Sequence, residues 1–152
     1  MTIPLRNWQP HVTVATVVPQ AERLLMVEEW INGAKVFNQP AGHLEADENL
    51  IEAAIRETRE ETAWEVRPTA LIGVYHWTTD SGITFIRFAF AADPIDHYLS
   101  QPLDEGILRA LWMTPRELEE TASRHRSPQV ARVVADYLDG RRLPLDALHY
   151  WS

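Results

Sequence analysis

Three carboxylates crowd one short stretch, Arg56-Glu57-Thr58-Arg59-Glu60-Glu61. On a helix each residue turns by about 100°. Glu60 and Glu61 then fall about 60° behind and about 40° ahead of Glu57. Like charges at such spacing destabilise an isolated helix, so something must neutralise them. Carboxylate oxygens suit a hard divalent cation, Mg²⁺ or Mn²⁺. A solvated acidic helix face is the alternative use of the same residues.

Other residues with chemical capacity surround this stretch. Asp104 and Glu105 lie in a loop rich in Asp, Pro and Gly, and either can join Glu60 as a base toward water. Asn38 and Gln39, just before the acidic segment, can bond a base or phosphate edge. Arg87 interrupts an apolar strand, where an unpaired charge is costly. It meets either a phosphate or a carboxylate. Trp77, His76 and Tyr75 leave a strand near a turn, and they either stack on a ring or belong to the core. Arg56 contacts phosphate or pairs with an acidic neighbour such as Glu48, which is then structural. Arg126-Ser127 reads as a helix cap in preference to a substrate clamp, and His11 and His43 as structural.

The elements that must position these groups alternate in kind. Val12–Val18 is β-branched and reads as a buried strand. Arg23–Trp30 reads as a second strand, in a hairpin with the first. Asn32-Gly33 marks a turn before a short strand, Lys35–Gln39. Pro40-Ala41-Gly42 then leads into the acidic helix, for which Asp47 is the expected N-cap. Ile51, Ile55, Thr58 and Thr62 share one face of that helix, and Leu50, Ala53 and Ala54 the adjoining one. The carboxylates continue the small-residue side, at the edge of the packed interface. Thr69–Thr79 and Ile83–Ala91 read as strands, 93–106 as a long loop, and Ile107–Met113 as a short strand. Thr114-Pro115-Arg116-Glu117 opens a helix with a capping box. Another helix runs from Ser127-Pro128 to about Leu138 and ends at Gly140.

The chain has 152 residues, enough for one domain spanning residues 1–152, and 45% are apolar, enough for a core. Without cysteine there is no disulfide framework, thiolate metal site or cysteine nucleophile. The formal charge of −8 argues against broad binding of a nucleic-acid polymer. It would also repel a phosphate substrate unless metal ions mediate binding. Basic residues are almost all Arg, Lys35 excepted. That bias reflects bidentate phosphate recognition or codon usage. No secretory signal precedes Pro10 and no segment has the apolar length of a membrane span. The expectation is a cytoplasmic protein, monomer or homodimer.

The segment Gly42–Trp64 resembles the box of the Nudix hydrolases. In that pattern a glycine is followed by five residues, a glutamate and seven further residues. Arg-Glu, an apolar residue, any residue, Glu-Glu, any residue, Gly and an apolar residue complete it. Gly42, Glu48, Arg56, Glu57, Glu60, Glu61 and Trp64 fit. Two positions depart: Thr58 stands for an apolar residue and Ala63 for the late glycine. Thr58 can bury its methyl while its hydroxyl bonds back along the helix. Ala63 either bears the left-handed conformation the glycine would take, or the helix ends differently. Further matches cover most of the chain: His11–Ala15, Val27–Glu29, Ile31–Gly33, Asn38–Glu48, Arg87-Phe88, Trp112 and Arg126–Pro128. They point to a phosphatase branch of the family.

That resemblance implies an α/β fold, an α/β/α sandwich with a central mixed sheet and the loop-helix at its edge. It implies that Glu57, Glu60 and Glu61, assisted by the Gly42 carbonyl, hold Mg²⁺ ions that promote attack of water on a diphosphate. The implied substrates are small molecules: nucleoside di- and triphosphates, hydroxymethylpyrimidine pyrophosphate and thiamine pyrophosphate, cleaved to a monophosphate and phosphate. Alternatives are another nucleoside diphosphate derivative, such as a damaged nucleotide, ADP-ribose or a dinucleoside polyphosphate, and a non-catalytic nucleotide sensor.

Overall fold

The computed structural model describes residues 7–151. The first six residues, part of the stretch read above as free of a secretory signal, lie outside them. The strands are β1 (His11–Val17), β2 (Pro19–Gln20), β3 (Arg23–Ile31), β4 (Ala34–Asn38), β5 (Ala41–His43), β6 (Trp64–Thr78), β7 (Thr84–His97) and β8 (Ile107–Met113). The α-helices are α1 (Leu50–Thr62), α2 (Pro115–Glu120) and α3 (Pro128–Leu138).

Two four-stranded sheets form. One has the order β5-β1-β7-β6 and is mixed, because β1 runs parallel to β7 while its other pairs are antiparallel. In the other, β3 is flanked by β2 and β4 along one edge and by β8 along the other. The expected hairpin of the first two long strands does not form. β1 is buried from Thr13 to Val17 and has strands on both of its sides. A strand apolar on both faces belongs inside a sheet, and only the short β2 that follows it pairs with the start of β3, in the second sheet.

Alternation along the mixed sheet builds a core on each face. Val14, Leu71 and Phe90 pack with Ala53 and Ala54 of α1. Ile72, Ala89 and Ala91 point the other way, toward Val130 and Val133 of α3. Helices therefore lie on opposite faces, as the α/β/α expectation requires.

Strands β6 and β7 are longer than the sequence reading, and the expected 93–106 loop shrinks accordingly. Pro68 and Pro94 hid their extensions. Both sit beside register shifts in the β6–β7 ladder, where a missing N–H does least harm.

The small face of α1 governs its approach to the sheet. Its buried residues are Ala53, Ala54, Thr58 and Thr62, while Ile51 and Ile55 are only half-buried. Thr58 Oγ1 lies 2.7 Å from Thr16 Oγ1 on β1 and donates to the Ala54 carbonyl at 2.7 Å. A larger residue at these positions would push the helix outward. The N-cap is Asn49, not Asp47. Asn49 Oδ1 accepts from the Glu52 N–H at 2.8 Å, and Glu52 accepts from the Asn49 N–H at 3.0 Å. This reciprocal box satisfies two helix-end donors, which Asp47 cannot match. Asp47 instead takes a left-handed turn conformation, with φ 64°. α1 stops at Ala63, whose φ of 62° and ψ of 17° are left-handed. Among the described residues, no helix is long and apolar enough to cross a membrane.

Ala63 thus bears a strain that glycine would not. The variant Ala63→Gly is expected to gain about 1 kcal/mol in urea unfolding, or about 2–4 °C in melting temperature. A destabilised Ala63→Gly protein would contradict this account of the helix end.

Candidate active site

Three elements converge on one end of α1. The helix supplies Glu57 and Glu60. The loop after β7 supplies Asp104, pinned by its backbone N–H donating to the Glu60 carbonyl at 3.0 Å. β5 supplies Gly42. One carboxylate oxygen from each of Glu57, Glu60 and Asp104 lies within 4.8 Å of the others. A Cβ on Gly42 would lie 2.1 Å from Glu57 Cδ and 2.3 Å from both its oxygens. Glycine is required here by the carboxylate that occupies the space.

Arg56 holds this arrangement together. Its Nε and Nη2 grip both oxygens of Glu48 at 2.9 and 2.7 Å. Nη1 reaches Glu57 at 2.9 Å and Glu60 at 3.1 Å, and Nη2 also donates to the His43 carbonyl at 3.0 Å. The sequence expectation of an Arg56–Glu48 pair is met. Glu48 is held below the ordinary carboxylate range by those bonds. Its other contact is to the Glu45 N–H, at 2.9 Å, so it fastens the loop to the helix.

The remaining carboxylates are strained electrostatically. Burial pushes Glu57 up to about 7 against the pull of Arg56, with Glu60 and Asp104 adding to the rise. Burial also raises Glu60. Glu61 is pushed up to about 9, first by burial, then by Glu29, Glu57 and Asp104. It lies outside the trio and accepts the Ala41 N–H at 2.9 Å. Hence the structure brings together Glu57, Glu60 and Asp104, with Glu61 behind them, and does not bring in Glu105. Oxygen donors this close, crowded by like charge and partly desolvated, fit a hard divalent cation.

A cleft of about 470 Å³ opens beside Gly42. Asn38, Arg87 and Trp77 line it, as the sequence suggested. Trp77 stacks on Phe85, with centroids 5.9 Å apart. His76 does not join them. It is exposed on β6 and borders a separate groove of about 540 Å³, which Tyr75, Trp77 and Asp136 also line. Arg87 is 5% exposed and has no carboxylate within ion-pair distance among the described residues. It donates to Gln39 at 2.9 Å and to Asn38 at 3.4 Å, and burial lowers its pKa to about 10. One cleft residue escaped the sequence reading. Glu29 follows a buried apolar run in β3, and the polar interruption after Val27 was the available signal for it. Arg126 borders the cleft just before Ser127, the cap of α3.

The NUDIX domain model matches residues 8–134. The chain belongs to the Nudix hydrolase family. Phosphatase NudJ of Escherichia coli is 43% identical over 141 residues, covering 93% of this chain and 92% of that relative. Phosphatase NudJ of Shigella flexneri matches with the same identity and coverage. A Nudix hydrolase structure from Nitrosomonas europaea superposes with a TM-score of 0.92 at 43% identity, over 94% of this chain and 98% of that one. The fold is the Nudix α/β fold, and the chain is an enzyme acting on phosphoric anhydride bonds, as a phosphatase or pyrophosphatase.

Two outcomes follow for this Nudix hydrolase. Gly42→Ala should displace the Glu57 carboxylate and cut turnover at least about 100-fold in a protein that still folds. Full activity in that variant would refute the steric argument. The second outcome concerns pH. Glu57 and Glu61 have folded pKa values of about 7 and about 9, above the ordinary 4.5. Their contribution to stability is complete below pH 4.5 and is lost as pH rises through about 7 and about 9. Melting temperature in chelator should fall from about pH 5 to about pH 9, and Glu61→Gln should flatten the slope. An unchanged slope in Glu61→Gln would count against it.

Proposed function

We propose that this enzyme hydrolyses nucleoside tri- and diphosphates, hydroxymethylpyrimidine pyrophosphate and thiamine pyrophosphate, releasing phosphate and leaving a monophosphate. The meeting of Glu57, Glu60 and Asp104 beside Gly42, at the edge of a cleft, carries this reading. The relation to proteins named as phosphatases supports phosphate, rather than a nucleotide, as the released group.

Glu57, Glu60 and Asp104 would hold Mg²⁺, or Mn²⁺ in its place, with Glu61 and the Gly42 carbonyl as further candidate donors. When bound, such an ion neutralises phosphate charge and lowers the pKa of a water. Arg56 keeps Glu57 and Glu60 apart from Glu48 and aimed at the same point. Glu60 is the more exposed of the two, and its proton affinity is raised by burial. We assign it as the base that takes the proton of the attacking water. Trp77 and Asn38 border the space for the organic part of the substrate.

Phosphate and pyrophosphate release with Mg²⁺ should be compared for thiamine pyrophosphate, GDP, GTP and ADP-ribose. Phosphate release from the first three is expected, and preferred cleavage of ADP-ribose would overturn the proposal. Glu60→Gln should lose at least about 100-fold in kcat with an unchanged fold, whereas Glu105→Gln should keep the wild-type rate. A fully active Glu60→Gln enzyme would remove Glu60 from the mechanism.

A further inference from the structure

Most arginines in this chain lie against a carboxylate, Arg56 and Arg124 among them. Two that border the cleft do not. Arg87 is 5% exposed, and its Nε has no partner among the described residues. Its other nitrogens donate only to amide oxygens of Gln39 and Asn38. A buried guanidinium held by neutral acceptors keeps most of its charge uncompensated. Arg126 projects from the turn just before Ser127, the N-cap of α3. Its backbone N–H donates to the Phe37 carbonyl at 2.7 Å, which fixes it next to Asn38. Its guanidinium has no carboxylate within 4.0 Å among the described residues. The N-terminus of an eleven-residue helix adds positive potential at this place.

One anion already stands near both cations. Glu29, half-buried in β3, borders the same cleft and accepts a long hydrogen bond from Asn38, 3.3 Å. Burial raises its proton affinity, while the Asn38 bond and the charges of Arg126 and Arg87 pull the other way. Yet it forms no ion pair with either. A carboxylate here would be unfavourable in a cleft that receives polyanions, unless the cations around it exceed it. Two arginines against one glutamate leave a net positive charge, enough for one phosphate group.

We propose that Arg126 and Arg87 form an anion subsite for the phosphate that stays on the product, and that Glu29 is the resident counter-charge this phosphate must outcompete. The inference rests on the phosphatase reading and deepens it. The carboxylate-rich end near Gly42 takes the phosphate that leaves, and the arginine-rich part of the cleft retains the other. Glu29 also has a use in the free enzyme, since it offsets the buried charge of Arg87 until substrate arrives.

The test compares wild type with Arg126→Ala, Arg126→Lys and Glu29→Gln, using GDP as substrate and GMP as the probe of binding. Arg126→Ala should raise the KM for GDP and the Ki of GMP about tenfold or more, with kcat changed less than about threefold. Arg126→Lys should recover part of that loss, because it restores charge but not the two-pronged geometry. Glu29→Gln should act in the opposite sense and tighten GMP about threefold or more, which a merely structural residue would not do. Wild-type KM and Ki in Arg126→Ala would overturn the subsite. Weaker GMP binding in folded Glu29→Gln would overturn the counter-charge role. Calorimetric titration of GMP reads the subsite without turnover. A wild type that binds GMP through Arg126 but releases no phosphate from GDP would sink the phosphatase reading while leaving the subsite standing.

Discussion

Carboxylates repel one another, and this structure forces several of them together. Glu57, Glu60 and Asp104 offer oxygens within 4.8 Å of each other, and Glu61 lies just behind. Without compensation α1 would fray where the chemistry must be. Arg56 supplies the compensation within the protein. One planar guanidinium holds Glu48 with two of its nitrogens and spans Glu57 and Glu60 with the third. A lysine, with a single point of charge, could not hold both sides. The loop that begins at Gly42 and the helix that follows are thereby one unit.

The remainder of the fold serves this crowded end. The small residues of α1 let the helix sit close on β1, with a hydrogen bond between the Thr58 and Thr16 hydroxyls. That closeness brings Glu57 against Gly42, where a side chain would displace the Glu57 carboxylate. It also buries Glu61 far enough to raise its proton affinity. The left-handed Ala63 then releases the chain directly into β6. A strained residue persists where its surroundings determine it from several sides, and here the helix end and the strand start are adjacent.

The cleft beside these carboxylates has the opposite electrical character. Arg87 comes from β7 and Arg126 from the turn before α3, while Glu29 comes from the other sheet. Under the proposed function, substrate phosphates would meet an acidic end, suited to a cation, and a basic part, suited to an anion. Such a division would let a chain with a net charge of −8 accept a polyanionic substrate.

The sequence by itself determined the local features. The spacing of Gly42, Glu48, Arg56, Glu57 and Glu60 was enough to name the family, because that pattern lies in one contiguous stretch. Turns and caps such as Asn32-Gly33 and Thr114–Glu117 were legible for the same reason: their interactions span only a few residues. Tertiary structure alone decided the rest. Asp104 rather than Glu105 enters the acidic cluster because a backbone bond to Glu60, distant in sequence, orients the loop. His76 lies outside the cleft that Trp77, the next residue in the chain, lines. Glu29 and Arg126 became cleft residues only when the second sheet and α3 were placed. Periodicity reports which face a residue takes, but which faces meet depends on contacts between elements far apart in the chain.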